Sequence, residues 1–73
     1  MTVRWVFSRG HEQTIVEVVS VARTYTVSVH HSNGIEQHTT LPSLLEAMRQ
    51  QAHLERAFTS SGWQLAEFQR PLP

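Results

Sequence analysis

The side chains that could do chemistry gather around one turn. His30, Glu36 and His38 flank Asn33-Gly34, and two imidazoles with one carboxylate would suit zinc with an open position. In the register argued below, His30 lies opposite Glu36 and His38 is one step along on the same face. Diagonal neighbours on a sheet stand about 7 Å apart, within reach of a shared ion. These three are the candidate metal ligands of the chain. No recognised ligand motif surrounds them, no second histidine pair has i, i+4 spacing, and a metal site needs ligand count and geometry together. Three solvated strand residues are the simpler reading, and no cofactor is expected. His31 falls on the apolar face beside the turn, where a backbone group or the helix end is its expected partner. His53 lies on a polar helix side and His11 in a turn. Five histidines also admit a pH-sensitive surface, because imidazole titrates near neutrality.

Covalent catalysis has less to work with. The chain has neither cysteine nor aspartate. Its serines occur in strands, at a helix cap or in the Ser60-Ser61-Gly62 stop, and none sits in a Gly-x-Ser-x-Gly elbow. No pair of carboxylates shares a helical face for acid–base work. Gly10, Gly34 and Gly62 are isolated turn glycines, not a phosphate cradle. One helix on a small sheet also offers little concave volume for a substrate. An enzyme is not expected.

Single-stranded nucleic acid is the stronger competitor. Trp5, Phe7 and Tyr25, with Arg4, Arg9 and Arg23 nearby, are the residue types of a stacking platform. Yet Trp5 and Phe7 alternate with Val3 as a core face does. Six arginines balance six glutamates with no lysine, and zero net charge gives no long-range pull on a polyanion.

These groups must be positioned by a short chain. Its 73 residues make one domain, 1–73, and a domain of this size buries only about 60% of its unfolded surface. Without cysteine, disulfides cannot add stability. No run reaches the 18 apolar residues of a membrane span, and the start lacks a signal-peptide layout. A cytoplasmic location, away from the membrane, is expected.

Residues Thr2–Ser8 alternate, with Val3, Trp5 and Phe7 on one face and Arg4 and Val6 on the other, as a half-buried strand does. Thr14–Val21 is apolar on both faces: Ile15, Val19 and Val21 on one, Val16 and Val18 on the other. Tyr25–His31 alternates cleanly, and Asn33-Gly34 is a hairpin signal. A two-residue turn would put Ile35 and Leu41 on the polar face. A three-residue loop, Ser32 to Gly34, pairs His31 with Ile35 and Val29 with Gln37, so that Val27, Val29, Ile35 and Leu41 share the buried face. A one-residue slip inverts a whole strand, and burial selects the second register.

At Leu41-Pro42-Ser43 the period changes. Residues 44–60 read as one helix, opened by the capping box Ser43-Leu44-Leu45-Glu46 and closed at Gly62. Its apolar stripe is Leu44, Met48, Leu54 and Phe58, with Ala47 and Gln51. Trp63–Phe68 reads as a short fifth strand or an extended strap, and Pro71 and Pro73 end any pairing.

The expected architecture is therefore α+β: a two-layer β-β-β-β-α domain with a short β5 and one helix across one face of an antiparallel sheet. The open sheet face suggests the role. If Ile15 and Val19 point inward, Val6, Val16 and Val18 form an outward patch, and a contiguous apolar patch marks an interface. The reading is a non-enzymatic protein-interaction module that forms a homodimer through that face. The alternatives are a single-stranded nucleic-acid binder and, third, a metal protein built on His30, Glu36 and His38.

Overall fold

The computed structural model describes residues 1–70. Strands β1 (Thr2–Arg9), β2 (Glu12–Val21), β3 (Thr24–His31) and β4 (Glu36–Leu41) run as a meander. Helix α1 (Leu44–Ser60) follows, and β5 (Gln64–Gln69) closes the order. The sheet runs β4-β3-β2-β1-β5, all antiparallel. This is the expected α+β fold. Residues 64–69 settle as an edge strand beside β1 rather than as a strap over the sheet. The stop expected from Pro71 and Pro73 lies outside the described residues. Among the described residues, no helix is long and apolar enough to cross a membrane.

Turn chemistry sets the register. Between β1 and β2 the loop is Gly10-His11, with Arg9 opposite Glu12 and Gly10 at φ +60°, a conformation that glycine adopts without strain. Between β2 and β3 the loop is Ala22-Arg23, with Val21 opposite Thr24. Ala22 takes φ +56° although it is not glycine, and the Thr24 hydroxyl donates to the Val21 carbonyl at 3.0 Å. The third loop is the expected three-residue one. The His31 N–H donates to the Ile35 carbonyl at 3.0 Å, Val29 stands opposite Gln37, and Gly34 has φ +90°. Asn33 adds an Asx brace, its Oδ1 accepting from the Ile35 N–H at 3.0 Å.

The first hairpin overturns the expected faces of β2. Arg9 opposite Glu12 places Phe7 opposite Thr14, Trp5 opposite Val16 and Val3 opposite Val18. Directly opposed residues point to the same side, so Val16 and Val18 lie under the helix with Trp5 and Phe7. They are 1% and 0% exposed and belong to the core with Val27, Val29, Ala47 and Trp63. Of the expected patch Val6, Val16 and Val18, only Val6 is on the open face. Ile15, opposite Val6, and Val19 join it there.

The helix begins as expected at Ser43, whose Oγ accepts from the Glu46 N–H at 3.2 Å. The Glu46 carboxylate closes the motif by accepting the Ser43 hydroxyl at 3.2 Å, not the Ser43 backbone N–H of a standard capping box. At the other end Trp63 N–H bonds to Phe58 C=O at 3.0 Å and Gly62 N–H to Thr59 C=O at 3.3 Å. With Gly62 at φ +88°, this is a Schellman motif, and its apolar contact is Phe58 against Trp63 at 5.9 Å. The motif turns the chain straight into β5.

The helix starts beyond the Leu41 end of β4 and finishes where Gln64 pairs with Ser8 of β1. It therefore crosses the sheet diagonally, and two corners of that face stay bare. Ile35, at the β4 corner far from the helix start, is 54% exposed rather than buried as its register implied. The inward line of the helix is Ala47, Gln51, Leu54 and Phe58, while Leu44 and Met48 of the expected stripe stand exposed on its flank.

Candidate functional site

The open face carries a continuous polar row that touches all five strands. It starts on β5, where Gln69 Oε1 accepts from Arg4 Nη1 of β1 at 3.4 Å. Arg4 Nη2 then reaches Glu17 Oε2 of β2 at 3.2 Å. The other Glu17 oxygen lies 3.1 Å from His30 Nε2 of β3. His30 Nδ1 lies 3.1 Å from Glu36 Oε1 of β4. The second Glu36 oxygen is 3.6 Å from His38 Nε2, and the row turns back to β3 through His38 Nδ1 and Ser28 Oγ at 2.9 Å.

The register explains the row. Arg4 is opposite both Glu17 and Gln69, Glu17 is opposite Ser28, Ser28 is opposite His38, and His30 is opposite Glu36. Ionic pairs of opposite sign on facing positions stabilise a sheet locally. His30 sits between two carboxylates, each 3.1 Å from a ring nitrogen. Both carboxylates therefore meet the ring through its two nitrogens, one on each side of the imidazole. The hydrogen bond from His30, helped by its charge and then by His38, holds the Glu36 carboxyl below its ordinary value.

His30, Glu36 and His38 thus come together as their spacing required, with the two rings edge to face and their centroids 5.8 Å apart. Each ring nitrogen already faces a partner: Glu17 and Glu36 for His30, Ser28 and Glu36 for His38. Among the described residues, no group of three or more His, Cys, Asp or Glu is arranged to hold a metal ion. Ser28, His38 and Glu36 have the composition of a nucleophilic triad. The serine, however, is only 6% exposed, and no pocket opens among the described residues. The Ser28 hydroxyl is engaged by His38 Nδ1 at 2.9 Å. It braces the sheet.

The aromatic residues weighed for base stacking lie elsewhere. Trp5 and Phe7 are core residues and Tyr25 packs against that core. Trp5 meets Phe68 at 5.4 Å and Phe7 meets Phe58 at 5.3 Å. His31 does lie on the apolar side, but its partner is a side chain: Nδ1 is 2.9 Å from Oγ1 of the fully buried Thr14. Arg9 lies over the Trp63 ring at 4.6 Å and donates to the Ser61 carbonyl at 3.2 Å, fastening the helix stop to the first turn.

The outer edge of β5 is a further exposed surface, which the alternation pattern did not single out. Leu65 stands opposite Phe7 and Phe68 opposite Trp5. Both side chains therefore belong to the helix face, yet they remain 47% and 42% exposed beyond the helix. Neither a charged residue nor proline sits between them except Glu67, which pairs with Val6 on the other face. The opposite edge is different: Glu36, Gln37, His38, Thr39 and Thr40 of β4 are all polar and exposed. No family model, curated protein or solved structure matches the chain.

Proposed function

We propose that this protein is a non-enzymatic protein-interaction module that works as a cytoplasmic homodimer. The observation that carries this reading is the difference between the two sheet edges. An edge strand offers unpaired backbone donors and acceptors, and proteins that avoid association guard both edges with charge, proline or cover. Here β4 is polar and exposed from Glu36 to Thr40, whereas β5 presents Leu65 and Phe68 on either side of Glu67. The open face is a weaker platform than its sequence implied. Val16 and Val18 are in the core, and Arg4, Glu17, His30 and Glu36 on that face are paired with one another.

Zero formal net charge adds support, because two copies meet without long-range repulsion. Sedimentation velocity between about 10 μM and about 1 mM tests the reading, since interfaces with few residues per side dissociate in that range. A concentration-dependent shift from monomer to dimer is expected. A monomer throughout would remove the proposal.

A further inference from the structure

Resting on that reading, we propose that the second copy adds to β5 antiparallel about a twofold axis, with Leu65 opposite Phe68 of the second copy, to make one ten-stranded sheet. The argument begins with an irregularity. In a regular strand, residues three apart point to opposite faces. Leu65 and Phe68 share the helix face because the register shifts between Val6 and Phe7, leaving Ala66 as the extra residue of a bulge.

That bulge makes the strand complementary to itself. Placing Leu65 opposite Phe68 of the second copy sets Gln64 opposite Gln69, and the twofold repeats both pairs. Gln64 is opposite Ser8 and Gln69 opposite Arg4, so both amides project from the open face. Apolar groups therefore meet on the helix side and amides meet on the other. Glu67 faces Ala66 of the second copy rather than its own image. Sliding the strands by one residue in either direction would mix the two faces, and in one direction it would also set Glu67 against Glu67, where like charges directly opposite are destabilising. The Arg70 guanidinium, 5.6 Å from the centre of the Phe68 ring, flanks the seam. Edge pairing also satisfies the outward backbone groups of β5, and it meets the polar row only at its end, where Gln69 Oε1 already accepts from Arg4.

The absence of native cysteine makes the register readable by cross-linking. Directly opposed residues have Cα atoms about 4.5–5.5 Å apart, within disulfide range. Residue 64 and its own image would be five positions apart, about 17 Å. The full chain carrying Gln64→Cys and Gln69→Cys is expected to oxidise to a covalent dimer, while each single variant stays uncross-linked. Leu65→Lys, at an exposed position, is expected to weaken dimerisation roughly tenfold or more with an unchanged circular dichroism spectrum. A chain that sediments as a dimer but fails to cross-link as the double variant, or cross-links equally as a single one, overturns the register and leaves the homodimer reading standing. Loss of the dimer in Ile15→Glu but not in Leu65→Lys moves the interface to the open face and overturns the edge pairing. A wild-type monomer at about 1 mM that yields no covalent dimer overturns both.

Discussion

Replacing Phe7 with alanine should remove a large share of the stability of this fold. The side chain is 0% exposed and its ring packs on Phe58 of the helix at 5.3 Å. It stands between Thr14 on β2 and Leu65 on β5, so its loss opens a cavity where three strands and the helix meet. Phe→Ala changes in cores cost about 3–5 kcal/mol, and an aromatic pair adds about 0.5–1.5 kcal/mol beyond area. A cost of about 4 kcal/mol is expected. At roughly 0.05–0.15 kcal/mol per residue, a domain of this length holds about 4–11 kcal/mol in total. Urea unfolding at one fixed, low protein concentration is the assay, because self-association would otherwise add its own stabilisation. With a slope near 1 kcal/mol per molar, the midpoint should fall by about 4 M. Leu54→Ala, at a half-buried site on the same helix line, should cost about half as much. Should Phe7→Ala prove unfolded without denaturant, Phe7→Leu provides the graded comparison at about 1–1.5 kcal/mol. Equal midpoints for Phe7→Ala and Leu54→Ala, or an unchanged midpoint for Phe7→Ala, would refute the assignment of the core centre to β1.

The face assignment of β2 predicts opposite outcomes for neighbours: Val18→Glu, in the core, should unfold the chain, whereas Val19→Glu, on the open face, should leave a folded protein by circular dichroism. Ala22→Gly should raise the urea midpoint, by about 1 kcal/mol in stability, because Ala22 holds φ +56° and the left-handed region costs a residue with Cβ about that much. For Glu36 the sign is fixed by its lowered carboxyl. Its stabilising contribution is fully present above the ordinary glutamate value of about 4.3 and fades as pH falls through the folded value. Glu36→Gln should therefore flatten the acid limb of a thermal-stability profile below about pH 4.3, and an unchanged limb would show that the His30 contact does not act on this carboxylate.

What could be read in the residues depended on local rules with one solution. The helix bounds followed from a cap, a stripe and a glycine stop, and α1 spans Leu44–Ser60. The β3–β4 register followed from asking that Ile35 and Leu41 share the buried face of Val27 and Val29, and it also brought His30, Glu36 and His38 together. Leu41 packs against the core as that requires, whereas Ile35 does not. The faces of β2 did not follow, because that strand is apolar on both sides and alternation cannot orient it. Turn arithmetic could have done so. Counting back from a two-residue Gly10-His11 loop sets Trp5 against Val16 and Val3 against Val18, the same pairing arithmetic as in the β3–β4 hairpin. Ile35 was misjudged for another reason. Register decides which way a side chain points, but the diagonal crossing of the helix decides which inward-pointing positions are covered.

The same distinction locates the interaction surface. Two apolar faces on β2 suggested a missing second layer behind the sheet, yet the structure resolves that demand differently. Val16 and Val18 are covered by the helix, while Ile15 and Val19 are only partly exposed on a face whose ionic groups are tied together from Arg4 to Glu36. Burying such a row in a partner would desolvate charged groups that are already paired, and that rarely returns a gain, although Arg4 Nε is itself buried without a partner. Extending the sheet at β5 leaves the row in water and removes only unpaired backbone and two exposed apolar side chains, Leu65 and Phe68. The bulge at Ala66 is what makes this route available, since without it those two side chains would lie on opposite faces and no twofold register could join them.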